Sequence, residues 1–402
     1  MPAEGFVYPT EQIEWSVLIV VYPYFTGLVA GAFIVSSFYH VFGIQTFKPV
    51  ARFSLVTALA FLLVSPLPLL VHLGRPERAV EIFLTPNLQS AMAGFGYIWL
   101  FYLILVLVEV WLAFRQDIII YAQTTGGLRR LVYSLLTLGV MDVSETSLRR
   151  DEQVIKILAM AGIPSAFLLH GYVGFLFGSI KANAWWSTPL MPVIFPMSAI
   201  VSGIALLIVL YVVVTTLRGA SVDSDCVRAM GGWLFGFLAL DLALEGLEIV
   251  SMMYEAEESW EAVQELITDK IAFSFFGIQL LMGSAVPLVG LALTGVLNLG
   301  NGVRNRLIFL AAVLVLVGIF AMRWNVVIGG QLLSKSLRGF LAYTPSLGGS
   351  EGILAAAAVL VLPLQLFAII AFLLPPWGEP TAPLARGEGP ERPAPVPEWR
   401  TW

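Results

Sequence analysis

The sequence is poor in charge. Of its 402 residues only 12% are charged, whereas 58% are hydrophobic, and the mean hydropathy is +0.86. Soluble domains carry about 25% charged residues, so this chain has too little charge to cover a water-facing surface. The net charge of −5 and the lack of a basic stripe also exclude nucleic acid as an expected partner.

Cysteine and histidine are scarce as well. The single cysteine, Cys226, excludes an internal disulfide and a cysteine-ligated iron–sulfur cluster within this chain. The three histidines are His40, His72 and His170, and the predicted helices place no two of them at matching depth. A bis-histidine haem needs such a pair, so we expect neither haem nor metal in this chain.

Long apolar runs recur along nearly the whole sequence. A bilayer-spanning helix needs roughly 20 mostly apolar residues, and these runs are too continuous for the alternating strands of a β-barrel. We therefore predict an all-α polytopic membrane protein with about nine transmembrane helices, within a range of eight to ten. The predicted spans are 15–42, 50–73, 91–114, 154–180, 189–217, 227–254, 271–297, 306–330 and 352–374.

Three segments fall outside the predicted spans. Residues 1–14 carry acids and no Lys or Arg, which is the wrong charge for a cleaved signal peptide. Residues 128–143 are apolar but short and begin with two arginines, which favours a helix lying in the interface over a tenth span. Residues 375–402 are rich in Pro, Gly and charge and are predicted to be disordered.

The distribution of Lys and Arg predicts the orientation, because cytoplasmic loops are enriched in them. With the N-terminus outside, inner loops hold 12 of the 22 basic residues and outer loops hold 6. We therefore predict an outer N-terminus and an inner C-terminus. The acidic loop 255–270 then lies outside.

Two histidine-containing motifs lie at or near the predicted outer ends of spans two and four. In the run 72–78 (HLGRPER), Gly and Pro break the helix and leave His72 and Arg75 at interface depth. In the run 170–174 (HGYVG), His170 and Tyr172 lie inside the span, where polar groups need partners in the bundle. The alternatives are an ordinary charged helix end and a buried histidine bonded to the backbone.

A third polar and aromatic group lies on the same predicted side. It consists of Glu14, Trp15, Tyr22, Pro23 and Tyr24 at the start of span one. If spans one, two and four pack together, the three groups form an aromatic pocket at the outer interface that suits a quinone. Its ring needs apolar or aromatic walls, its carbonyls need donors, and its reduction needs two protons. The predicted quinone-binding residues are Tyr22, Tyr24, His72, Arg75, His170, Tyr172, Lys181 and Trp185.

Span six carries three carboxylates. Asp241, Glu245 and Glu248 are spaced four and three apart and share one helix face, which must turn away from lipid. Arg323 in span eight lies at a similar predicted depth to Glu248, so contact between the two is expected. We interpret the group as a proton path, with a structural ion-pair network as the alternative. The predicted path residues are Glu109, Asp241, Glu245, Glu248, Gln279 and Arg323.

A weak internal similarity joins spans one and five. Pro23 followed by Val-Ala-Gly at 29–31 resembles Pro196 followed by Val-Ser-Gly at 201–203. Both spans run inward, as a parallel four-helix repeat requires. Chance similarity between glycine-containing apolar helices is the alternative.

Together the runs 72–76 and 170–174 and the pattern Trp186…Pro189…Pro192…Phe195…Ser198-Ala199…Ser202-Gly203 resemble the NrfD/PsrC-type family. These are membrane subunits of polysulfide reductase and related respiratory complexes. The ninth span and the long segment 115–152 resemble its larger members, as in menaquinone reductase complexes or alternative complex III. In the family, polar residues of the first and fourth helices contact the quinone. The first span here has no Asn or His in its outer half, unlike some members.

The resemblance implies two four-helix bundles, at 15–180 and 189–330, with an extra helix at 352–374. It implies menaquinone or another quinone bound near the periplasmic face and no redox cofactor in this chain. It also implies a periplasmic iron–sulfur subunit, often with a molybdopterin-type or multihaem cytochrome partner, at a bacterial inner membrane. The residues alone leave two rivals: a secondary transporter or ion channel that uses the intramembrane acids, and a passive membrane anchor.

Overall fold

The computed structural model describes residues 4–255 and 259–377 and is almost entirely helical. The first nine α-helices are α1 Val17–His40, α2 Lys48–Val64, α3 Leu67–His72, α4 Glu81–Leu84, α5 Ala91–Thr124, α6 Gly127–Leu136, α7 Glu145–Gly178, α8 Met191–Leu217 and α9 Ser224–Glu255. They are followed by α10 Trp260–Glu265, α11 Val286–Val296, α12 Asn301–Trp324, α13 Gly330–Leu332 and α14 Ile353–Leu373. Two short strands, β1 Glu4–Phe6 and β2 Arg338–Phe340, pair antiparallel.

Within the described residues, eight helical stretches are long and apolar enough to cross a membrane. A ninth long helix, α9, has 32 residues, carries the three carboxylates, and packs along α8, α11 and α12. The prediction of an all-α polytopic membrane protein is therefore confirmed.

Helices α5 and α7 extend well beyond the predicted limits of spans three and four. Each has 34 residues, so much of the predicted loop 115–152 is helical. The extension is stabilised by partly buried ion pairs: Arg115 of α5 bonds Asp151 of α7, and Arg52 of α2 bonds Asp117 of α5. This pairing keeps the charged residues inside the helices.

The predicted second span is divided into α2 and α3. The break falls at Ser65 and Pro66, because proline cannot donate the helical hydrogen bond. The indole Nε1–H of Trp99 in α5 donates toward the Leu62 carbonyl and the Ser65 hydroxyl at 3.2 Å each. This contact satisfies backbone near the kink and attaches it to α5.

Helix α1 lies at the centre of the molecule and packs against α2, α7, α8 and α12. Its crossing with α8 is very close: a Cβ on Gly203 would lie 2.4 Å from Gly31 Cα, and one on Gly31 would lie 2.1 Å from the Ala199 carbonyl oxygen. Only glycine permits this approach. The two glycines are the matching positions of the internal similarity noted in the sequence.

Two faces of the bundle are defined by its helix ends. The N-terminal face holds β1, β2, the starts of α1 and α5, and the ends of α7 and α12. There the side chain of Gln331 accepts from the backbone N–H groups of Glu14 and Trp15 and donates to the Trp15 carbonyl. The start of α1 is thereby joined to the end of the α12 segment.

The opposite face holds the starts of α2, α7 and α9 and the end of α14. A cavity of about 560 Å³ lies there, lined by residues that include Lys48, Arg52, Asp223 and Asp225. The segment predicted to be an interfacial helix forms α6, which ends at Leu136 rather than 143, and its position in the interface stays a prediction. The predicted disordered tail lies outside the described residues except for 375–377, where Trp377 stacks with the Arg218 guanidinium at 3.8 Å.

Candidate functional site

His170 and Arg323 meet in the interior, between α7 and α12. Arg323 donates from Nη2 to His170 Nε2 at 3.0 Å, and both side chains are fully buried. Arginine has no acceptor, so the imidazole must carry its proton on Nδ1 and donate it to Thr26 Oγ1, 3.1 Å away. Gly27 makes room for the ring, because a Cβ there would lie 3.3 Å from it. Residues assigned to two separate sites in the sequence therefore form one network.

Arg323 is held by more than His170. It also donates to the Ser198 hydroxyl, and its guanidinium carbon lies 4.1 Å from the centre of the Phe195 ring. Its Nε and Nη1 have no hydrogen-bond partner among the described residues. Asp241 and Glu245 interact with it electrostatically. The expected contact between Arg323 and Glu248 is wrong, because Arg323 turns toward α7 and α8 instead.

A second polar chain continues from Glu245. The amide of Gln279 donates to Glu245 Oε2 at 3.0 Å, Asn325 donates to Gln279 Oε1 at 2.8 Å, and Ser274 donates to Asn325 Oδ1 at 2.6 Å. Three residues of this chain lie in two π-helical segments: Ser274 and Gln279 in Phe273–Ala285, and Asn325 in Asn325–Gly329. Such segments are frequent at functional sites, since they turn side chains that a regular α-helix would align elsewhere.

A small cavity adjoins this chain. Its volume is about 30 Å³, and Glu245, Glu248, Gln279 and Asn325 are among its lining residues. That volume admits about one water molecule, in a site with several polar partners. Glu248 also interacts with the Thr188 side chain. Of the predicted path residues around α9 and α12, Asp241, Gln279 and Arg323 are buried and Glu245 is partly buried.

Two of the predicted quinone-binding tyrosines each contact the first turns of α5. The Tyr172 hydroxyl donates to the Ala91 carbonyl at 2.9 Å, and Gly94 allows this approach, because a Cβ there would lie 2.4 Å from that hydroxyl. The Tyr22 ring packs edge-on against Phe95 with centroids 5.1 Å apart. The Tyr22 hydroxyl is buried and has no hydrogen-bond partner in the described part of the chain.

The remaining predicted quinone-binding residues point elsewhere. Tyr24 donates to the Leu316 carbonyl of α12 at 3.2 Å. Trp185 donates to the Asn325 carbonyl at 3.0 Å, which places it beside the second polar chain. His72 Nδ1 lies 3.0 Å from Glu351 Oε1. Arg75 and Lys181 are exposed. The expected convergence of all eight residues on one pocket is therefore not observed, because His72 is paired with Glu351, Trp185 is bonded to Asn325, and Arg75 and Lys181 are exposed.

Glu109 lies apart from the other predicted path residues. It belongs to α5, which packs mainly against α2, α6 and α7. Its side chain has no exposed surface, and neither carboxyl oxygen has a hydrogen-bond partner among the described residues.

Several participants were missed in the sequence. Thr26 carries no distinctive signal, since small polar residues are common in membrane helices. Ser198 belongs to the family-like pattern, but that pattern assigned it no role in the site. Asn325 did carry a signal that the sequence analysis overlooked, because it is a polar amide two residues after Arg323 in an otherwise apolar run. Trp15 stacks on Trp186 with centroids 5.2 Å apart, which joins the start of α1 to the loop after α7.

The fold and the buried network define a class: a multi-pass membrane protein whose charged and polar side chains are gathered inside its helix bundle. A family model described as Polysulphide reductase, NrfD matches residues 8–334 of the chain. The chain belongs to the polysulphide reductase NrfD family, as the sequence motifs predicted.

Three relatives illustrate the similarity. A selenate reductase subunit of Mesobacillus selenatarsenatis is 30% identical over 91% of this chain and 87% of its own length. A protein of Halobacterium salinarum named as a dimethyl sulfoxide reductase membrane subunit is 28% identical over 76% of this chain and 66% of its own. The Hdr-like menaquinol oxidoreductase integral membrane subunit of Archaeoglobus fulgidus is 22% identical over 90% and 86%.

Proposed function

We propose that the chain is the membrane subunit of a respiratory redox complex, in which it binds a quinone and exchanges electrons with an iron–sulfur subunit. Family membership supports the proposal, and the relatives are named as subunits of selenate and dimethyl sulfoxide reductases and of a menaquinol oxidoreductase. Menaquinone is the proposed substrate. The proposed complex also includes a molybdopterin-type or multihaem cytochrome partner.

The observation that carries the quinone assignment is the buried Tyr22 hydroxyl, which has no hydrogen-bond partner among the described residues. A buried hydroxyl without a hydrogen bond is costly, and a quinone carbonyl supplies the acceptor that it lacks. Phe95 offers an apolar wall for the ring. Both nitrogens of His170 are engaged, and the Tyr172 hydroxyl already donates to the Ala91 carbonyl, so the Tyr22 hydroxyl is the proposed direct donor to the quinone.

His170 is proposed to act on the quinone indirectly, through Thr26. The Thr26 hydroxyl that receives its Nδ1–H also lies 3.3 Å from the Tyr22 carbonyl, so the imidazole is linked to the quinone side of α1. Through Arg323 the link continues toward Asp241 and Glu245. We propose that this network, with Glu248 and Gln279, moves protons between the quinone region and water.

The iron–sulfur subunit is proposed to dock on the N-terminal face. Phe6 and Tyr8 are 55% and 47% exposed there and pack edge-on with centroids 5.3 Å apart. Exposed aromatic pairs of this kind mark interaction surfaces. With the predicted orientation, this face is periplasmic and the membrane is the bacterial inner membrane.

The rival functions receive less support. A transporter needs a solute path, and the cavity beside Glu245 and Glu248 has room for water only. A passive anchor requires no buried arginine–histidine pair, and burying such groups in a membrane protein is expensive.

The decisive test is the removal of the proposed donor. We expect Tyr22→Phe to lower the rate of menadiol oxidation by the purified complex by about tenfold, because a hydrogen bond to the quinone is lost. The rate is followed by the absorbance of the quinone product. Tyr254→Phe, at a hydroxyl-bearing residue that is 87% exposed on α9, is the matched control. Full activity in Tyr22→Phe would refute the site.

A further inference from the structure

Three polar groups along the first four-helix region lack partners and lie in a row. They are the hydroxyl of Tyr22, the hydroxyl of Tyr102 and the carboxyl of Glu109, all buried and without hydrogen bonds among the described residues. Hydrophobic residues would fill these positions at less cost, so the polar groups have another purpose.

The row follows one face of α5. Phe95, which touches Tyr22, is followed by Tyr102, Glu109 and Gln116 at intervals of seven residues, so the four lie on nearly the same side of the helix. Each interval covers roughly 10 Å along the axis. Tyr102 packs on Phe33 of α1 with centroids 5.5 Å apart and lies within electrostatic range of Glu109. The face thus leads from the proposed quinone pocket into the bundle.

The row ends near water on the opposite face. Asp117, next to Gln116 on α5, is bonded to Arg52 of α2. Arg52 in turn lines the 560 Å³ cavity, together with Lys48, Asp223 and Asp225. Asp117 is two helical turns, or roughly 12 Å, beyond Glu109. Water in that cavity therefore contacts the charged Arg52 side chain, which is bonded to Asp117, before it can reach the buried carboxyl of Glu109.

We propose that Glu109 is a proton-exchange site for the quinone, supplied from the opposite face and separate from the network around Arg323. When the quinone is reduced, it takes two electrons from the iron–sulfur partner and two protons. One of these protons leaves the Glu109 carboxyl and passes through Tyr102 toward Tyr22, and the other comes through the proposed network around Arg323. The carboxylate is then reprotonated from the cavity at Arg52 and Asp117. Quinol oxidation reverses each step.

This inference rests on the proposed quinone function and extends it to a second group of residues. The Tyr102 hydroxyl and the Glu109 carboxyl are too far apart along the helix for direct transfer, so the relay includes bridging water. General acid–base groups of this kind contribute about 10²-fold or more to rates.

The test is redox-difference infrared spectroscopy of the purified complex in lipid, with menadiol as the reductant. We expect a carbonyl band of a protonated carboxylic acid to change with the redox state in the wild type. Glu109→Gln should remove the band and lower menadiol turnover at least tenfold without weakening menadione binding. Glu152→Gln, at an exposed carboxylate of α7, is the matched control and should change neither.

Two further variants guard against loss of folding. Glu109→Asp should keep the band and part of the rate, whereas Tyr102→Phe, which retains the ring on Phe33, should slow turnover and keep the band. Normal turnover and an unchanged band in Glu109→Gln would overturn this inference but leave the proposed function standing. A wild-type complex that neither binds menadione nor oxidises menadiol would overturn the proposed function with it.

Discussion

At the residue scale, the molecule depends on a few polar side chains whose partners are far away in sequence. His170 has a determined tautomer because Arg323 can only donate, and Arg323 is kept in the interior by His170, Ser198 and the Phe195 ring. The nearby acids complete the charge balance, since an isolated buried cation would be very costly. The chemistry proposed for this chain belongs to such clusters rather than to any single residue.

Glu245 offers a residue-scale test of the proposed network around Arg323. We expect Glu245→Gln to retain the fold and the hydrogen-bonding position of Gln279, and to reduce proton translocation per electron severalfold, because the amide cannot take up a proton. The measurement is the pH change in proteoliposomes during menadiol oxidation. Glu265→Gln, at an exposed acid, is the control. Equal proton yields in both variants would leave the ion-pair alternative.

At the scale of the elements, helix contacts depend on where glycine removes a side chain. The crossing of α1 and α8 at Gly31 and Gly203 brings two backbones together and positions Thr26 and Ser198 on either side of His170 and Arg323. The break between α2 and α3 and the π-helical segments act in a similar way, since each re-aims the side chains that follow. The site therefore rests on irregular points of otherwise ordinary helices.

Gly203 provides the test at this scale. We expect Gly203→Ala to destabilise the protein by about 1–3 kcal/mol, because the new Cβ would lie 2.4 Å from the backbone of Gly31. Thermal unfolding in detergent, followed by size-exclusion chromatography, measures the effect. Gly232→Ala on α9 meets no atom within 4 Å and should be neutral or stabilising by up to about 1 kcal/mol. Equal transition temperatures would contradict the close crossing.

At the scale of the whole molecule, the two faces differ in what they offer. The N-terminal face carries the strand pair and the exposed aromatic residues Phe6 and Tyr8, whereas the opposite face carries partly buried ion pairs and the charged cavity. This difference fits a subunit that meets a redox partner on one side and takes up protons from the other. The orientation of the faces in the membrane remains a prediction from the positive charges.

Cysteine labelling tests that orientation. The native Cys226 is fully buried, so background labelling should be minimal. We expect Tyr8→Cys to react with an impermeant maleimide in intact cells, and Ser221→Cys to react only after permeabilisation, because both residues are exposed but on opposite faces. Mass-shift gels measure the labelled fraction. The reverse pattern would invert the proposed topology.

Much of the architecture was predictable because hydrophobicity and helix length are local properties. The apolar runs identified the membrane class and the approximate number of helices, and the cost of burying charge identified Glu109, Asp241 and Arg323 as interior groups. The ends of α5 and α7 were not predictable, because Arg115 and Asp117 are retained in the helix by partners on other helices.

The sequence by itself determined that this is a helical membrane protein of the NrfD family with charged groups inside its bundle. Only the tertiary structure decided which groups meet: His170 with Arg323 and Thr26, Tyr172 with the start of α5, and His72 with Glu351. The physical reason is that partition into lipid depends on each segment alone. The direction of a side chain depends on the kinks and glycine contacts that set how the helices pack.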